Sequence, residues 1–225
     1  MIILNNLLES VKSVLDTGGP VVLLLIAISI LTVTIILYKF WQFQASGVGS
    51  HSRLKEAVAA LDARDEATAL IKLEQSKSYL VPAIRIAMSG DDARISDRAD
   101  AEAEDCFARL ERGFSTLDLI AQIAPLLGLF GTVLGMIEAF QKLQTAGSSV
   151  DPSLLAGGIW VALLTTATGL AVAMPTSLAL SWLEARMLRE RVFANSALRT
   201  VFAPKTALEV SKDPSNHDLV SVHGA

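Results

Sequence analysis

Three runs along the chain carry no charged side chain: residues 17–38, 119–137 and 152–183. Each is close to, or exceeds, the roughly 20 apolar residues that a helix needs to cross about 30 Å of hydrocarbon. Between the first two runs the pattern changes. Residues 51–63 and 66–77 are charged and alanine-rich, with little β-branched alternation, which predicts helices. Ser89-Gly90-Asp91-Asp92 predicts a turn between helical hairpins. Beyond Ser96, read as an N-cap, Ala103, Phe107, Leu110, Phe114 and Leu117 recur at helical spacing and run into the second apolar run. That continuity predicts one long helix entering and crossing the membrane.

A short polar stretch, residues 145–152, separates the second and third runs, so these form an antiparallel hairpin. Asp151 and Pro152 read as N-cap and first helical position. Leu183, Met187, Leu198 and Val201 extend the third helix past the membrane, and from Pro204 the composition predicts a mobile tail. The expected class is all-α: an integral membrane protein with three transmembrane helices, long helices reaching into the cytoplasm, and cytoplasmic helical hairpins.

Charge sets the orientation. Lys39, Arg53 and Lys55 follow the first run, Arg98, Arg109 and Arg112 precede the second, and Arg186, Arg189 and Arg191 follow the third. Basic residues near span ends favour the cytoplasmic side. The expected organisation is a periplasmic segment 1–16, span 17–42, a cytoplasmic helical domain 43–115 and span 116–142. A periplasmic loop 143–152, span 153–183, a cytoplasmic extension 184–203 and the tail 204–225 follow. Glu9, Lys12 and Asp16 precede the first run without net positive charge, so it reads as a retained span and not a cleaved signal.

Composition agrees with a membrane protein: 52% of 225 residues are hydrophobic, and mean hydropathy is +0.47. A net charge of −4 gives no sign of nucleic-acid binding. Cys106 is the single cysteine, and His51, His217 and His223 lie outside the apolar runs, where they read as solvated groups and not metal ligands. No phosphate-binding loop or nucleophile motif occurs, so neither a cofactor nor enzymatic chemistry is expected.

Ala124, Gly128, Gly131 and Gly135 form a small-residue face in the second span, as Ala162, Thr166, Gly169, Ala173 and Ser177 do in the third. Such faces let membrane helices approach closely, and ordinary packing within a bundle would use them too. Thr132, Thr165, Thr166 and Thr168 add hydroxyls, which either bond their own helix or line a hydrated seam. Residues 119–137 and 152–183 hold no carboxylate or imidazole. Membrane proton relays normally use such groups, so if protons move here a partner must bring the carrier.

Residues 124–140, APLLGLFGTVLGMIEAF, and 157–175, GGIWVALLTTATGLAVAMP, resemble the second- and third-span motifs of the MotA/TolQ/ExbB proton-channel family, nearest its ExbB/TolQ branch. With the three-span topology, the resemblance covers nearly the whole chain. It implies a homopentameric pore in the bacterial inner membrane around helices of a single-span ExbD- or TolR-like subunit, whose aspartate carries protons. The work would be delivered to a periplasmic TonB- or TolA-like transducer, in the ExbB case energising outer-membrane transport. The resemblance makes Thr132 and Thr166 pore-facing, and makes Pro125 and Pro175 residues that bend or loosen the helices. The third-span motif usually has a glutamate where this chain has Val161. That departure keeps a non-conducting membrane scaffold open as an alternative, beside a TolQ-like envelope motor. Glu138, four residues before Lys142, reads as an interfacial ion pair or as a proton-entry group.

Overall fold

The computed structural model describes residues 2–90, 92–145 and 152–203, and every regular element among them is helical. In chain order these are α1 (Ile2–Ala45), α2 (Ser52–Asp62), α3 (Glu66–Glu74), α4 (Val81–Ala87), α5 (Ala93–Glu111), α6 (Phe114–Thr145) and α7 (Pro152–Phe202). Among the described residues, three stretches are long and apolar enough to cross a membrane: Gly19–Ala45, Ala93–Thr145 and Leu155–Phe202. The predicted Asp151 cap, the 146–151 connection and the tail from 204, with His217 and His223, lie outside the described residues.

The chain divides into two compact units. The first joins Met1–Lys39 with Gly113–Glu184. Within it α1 is interrupted at Gly19, whose φ of 68° suits a residue without a Cβ. Pro20 then opens the next stretch of helix, where its missing N–H needs no partner. Val21, Leu25, Ile120, Ala124, Val172 and Ala173 form the buried apolar cluster, with Ile28 and Leu127 packed on it. Leu126, Leu129, Phe130, Trp160, Leu163 and Leu178 point outward, as side chains facing lipid would. Lys39 is buried, with Nζ 5.8 Å from the Phe114 ring centre and 5.9 Å from that of Tyr38. Attraction to ring faces is one way to keep an ammonium out of water.

The second unit joins Phe40–Arg112 with Ala185–Ala225. Here α2 packs on α3 and α4 on α5. Asp65 caps α3 by accepting from the Thr68 N–H at 3.0 Å. Leu54, Leu73, Leu80, Ile84, Phe107 and Met187 are among its most enclosed side chains.

Two local expectations are corrected. The N-cap of α5 is Asp92, not Ser96; its carboxylate faces the Arg94 N–H at 3.5 Å, and Ser96 lies one turn inside. The long helix expected from 96 onward is interrupted between α5 and α6, because Gly113 takes φ 97°, a value no helix contains. The apolar stripe itself is present, with Ala103, Phe107, Leu110, Phe114 and Leu117 all buried.

Candidate functional site

In the first unit α6 and α7 run antiparallel and meet through backbone. A Cβ built on Gly169 would lie 2.6 Å from the Ala124 carbonyl oxygen, and one on Gly128 would lie 3.0 Å from that of Thr165. A Cβ on Gly131 would lie 2.7 Å from the Thr165 side chain and one on Gly135 would lie 3.2 Å from that of Ala162, while a Cβ on Gly158 would collide with that of Ala139. The register therefore pairs 124 with 169, 131 with 165, 135 with 162 and 139 with 158. The glycines are there because any side chain would force the helices apart. Lipid offers no hydrophobic drive to close that gap.

The hydroxyls lie along this contact. Thr165 is buried and donates to the Ala162 carbonyl at 2.6 Å. Thr166 donates across the seam to the Gly128 carbonyl at 3.4 Å. Thr132 donates to Leu129 of its own helix at 2.6 Å and borders an open groove of about 920 Å³ with Val133, Met136, Ile137, Phe140 and Gln141. Thr168 and Thr176 bond carbonyls one turn back. On α7 the face expected from sequence is shifted: Ala162, Gly169 and Ala173 are buried, but Ser177 is exposed, and Thr165 and Thr176 take the enclosed positions.

Pro125 and Pro175 lie inside helices that continue through them. Each removes one N–H from the helical ladder, which frees the carbonyls of Ala121 and Ala171. Val161 is half-buried. Glu138 and Lys142 form an exposed ion pair at 2.8 Å, of a kind that contributes about 0.3–0.5 kcal/mol in water.

Sequence reasoning missed a second polar cluster, in the second unit. His51, expected to be solvated, is buried; its Nε2 is 2.5 Å from the Glu190 carboxylate and its Nδ1 is 3.2 Å from the Ser78 hydroxyl. Tyr79 donates its hydroxyl to the same Glu190 oxygen at 2.8 Å. Arg186 Nε is 3.7 Å from the other oxygen. Phe193 stacks on the imidazole at 4.5 Å. Burial alone would raise the Glu190 carboxyl, but the hydrogen bonds from His51 and Tyr79, with the charges of His51 and Arg186, outweigh it and hold the group below its ordinary value. Burial and the neighbouring carboxylate push the Tyr79 phenol upward, so it stays a donor. His51 was hidden because its partner is 139 residues away. Glu190 did offer a signal, a carboxylate at helical spacing between the apolar Met187 and Ala194.

Three membrane-length helices among the described residues, two of them joined through glycine and threonine, define a polytopic helical membrane protein. The MotA/TolQ/ExbB proton channel family matches residues 69–194, and the chain belongs to that family. An ExbB-like biopolymer transport protein of Synechocystis is 34% identical over 70% of this chain and 64% of its own length. The chain thus spans less than two thirds of that relative. An ExbB biopolymer transport protein of Vibrio cholerae is 51% identical over 28% of each chain. The Tol-Pal system protein TolQ of Haemophilus influenzae is 38% identical over 35% of this chain and 34% of its own. These relatives place the chain with the ExbB/TolQ type.

Proposed function

We propose that the chain is the pore-forming subunit of a proton-driven motor in the bacterial inner membrane, of the ExbB kind, energising TonB-dependent outer-membrane transport. The observation that carries this reading is chemical. The α6–α7 hairpin offers hydroxyls and backbone carbonyls, yet residues 119–137 and 152–183 contain no group that can take up a proton. A single-span ExbD- or TolR-like subunit with a membrane aspartate supplies that group, inside a homopentamer of this chain. The N-terminus lies in the periplasm; residues 43–115 and the chain beyond 183 lie in the cytoplasm.

Thr132 and Thr166 form the proton path. Each hydroxyl proton is already given to a carbonyl, so what remains for a visitor is an acceptor. An acceptor favours the protonated, O–H-bearing aspartate or a water and does nothing for the anion. The partner's carboxyl is therefore neutral beside these residues and ionised where water reaches it. A proton crossing 100 mV releases about 2.3 kcal/mol, enough to bias each step of partner motion delivered to a TonB- or TolA-like transducer. Glu138 serves as the entry group if the Glu138–Lys142 pair opens in the assembly.

The test is proton influx into vesicles carrying this chain with its single-span partner. Thr132→Val and Thr166→Val should each lower influx at least tenfold while the oligomer still assembles; unchanged influx removes both residues from the path. A TolQ-like motor differs only in the transducer that co-purifies. Val161 favours one other reading, a non-conducting scaffold. That reading stands if wild-type vesicles carry no flux and Val161→Glu restores it.

A further inference from the structure

We propose that Glu190 is a positioning residue of the channel: by pairing with His51 and Tyr79, it fixes the rotational setting of α7 in the second unit. The inference rests on the motor reading above.

The face of α7 that turns inward in this unit is otherwise built from Met187, Ala194, Ala197 and Leu198. Apart from Leu198 near its far end, that face is made of flexible methionine and small alanines, which grip weakly around position 190. A carboxylate in that row is not needed to fill space, since an apolar residue would pack there. What it adds is direction. One carboxylate receives donors from two segments far apart in the chain: His51 Nε2 at 2.5 Å, just before α2, and Tyr79 Oη at 2.8 Å, just before α4. Turning α7 by one residue would swing Glu190 about 100° and break both bonds at once.

The neighbours hold the same setting. Arg186, one turn earlier, donates to the Val48 carbonyl at 3.2 Å and lies so close to Gly49 that a Cβ there would overlap its guanidinium. Arg191 reaches Glu111 on α5 at 3.0 Å and lies 4.8 Å from the Phe107 ring centre. Buried polar pairs in helical seams are best attested as devices that choose a register. One helix, α7 from Pro152 to Phe202 with Pro175 inside it, bears Glu190 as well as Thr165 and Thr166.

Proton influx per assembled complex and melting temperature are measured for His51→Leu/Glu190→Leu, Glu190→Gln and Tyr79→Phe. Rotation is read separately in the Cys106→Ala protein, from maleimide labelling of single cysteines at exposed Leu188 and buried Ala194. The double variant should assemble and melt no lower than wild type, yet lose at least fivefold in influx, and position 194 should become labelled. Glu190→Gln, which keeps the shape and the acceptor for Tyr79, should retain more than half of the influx. Absence of influx in wild type refutes the motor reading and leaves the labelling pattern to decide this one. Influx within twofold of wild type in the double variant, with 194 still protected, overturns the proposal. Should the double variant fail to assemble, Tyr79→Phe decides: a threefold loss of influx at unchanged melting supports it, and unchanged influx overturns it.

Discussion

Thr132 and Glu190 are both polar side chains on long helices, and they differ in what a substitution leaves behind. Removing the Thr132 hydroxyl frees only the Leu129 carbonyl of its own helix, so Thr132→Val should leave stability nearly unchanged, and any loss reports function. Glu190→Ala leaves the buried His51 and the part-buried Tyr79 without their acceptor. Breaking one side of a buried pair costs about 3–5 kcal/mol, which a denaturant or thermal melt would register. The carboxyl of Glu190 is held below its ordinary value, so its contribution is present above that value and is lost as pH falls through the lower, folded-state value. Wild-type protein should therefore lose stability more steeply than Glu190→Gln below about pH 4.5, as melts across an acid series would show. Cys106 is buried, and burial raises its thiol. It should resist maleimide in the native protein and react on unfolding.

At the scale of the elements, the glycines of the α6–α7 seam can be told apart by what surrounds them. Gly169→Ala places a methyl 2.6 Å from the Ala124 carbonyl, and overpacking of this kind costs about 1–3 kcal/mol. Gly157 has nothing within 4 Å, so Gly157→Ala should be neutral or stabilise α7 by up to about 1 kcal/mol through helix propensity. Parallel melts of the two variants in detergent check the contrast. Much of the seam was legible beforehand, since Gly128, Gly131, Gly135 and Gly169 fall on faces by spacing alone. The sequence did not show that Thr165, and not only Thr166, packs into it, because a difference of one residue turns a helix by 100° and both lie near the same edge. The interruption at Gly113 was also hidden. A glycine inside an apolar-periodic stretch is tolerated in many helices, and only its φ of 97° marks the break.

For the molecule as a whole, hydropathy announced the three spans, because crossing a membrane imposes a length and an absence of charge that few other constraints mimic. The second unit was far less readable. Its organising contacts, His51 with Glu190 and Arg191 with Glu104 and Glu111, join residues 80–139 positions apart, and no local pattern encodes such pairs. The proposed motor makes a prediction at this scale: vesicles holding this chain alone should show negligible proton influx, and adding a single-span subunit with a membrane aspartate should raise it at least tenfold.

The contact between Ala139 and Gly158 also constrains how the protein can drift over evolutionary time. One methyl group fills the space at that point, and a second would collide with it. Gly158→Ala arising first meets that collision, whereas Ala139→Gly arising first opens the room for it. Related sequences should therefore exchange the methyl between the two positions, with alanine at both the combination that selection removes.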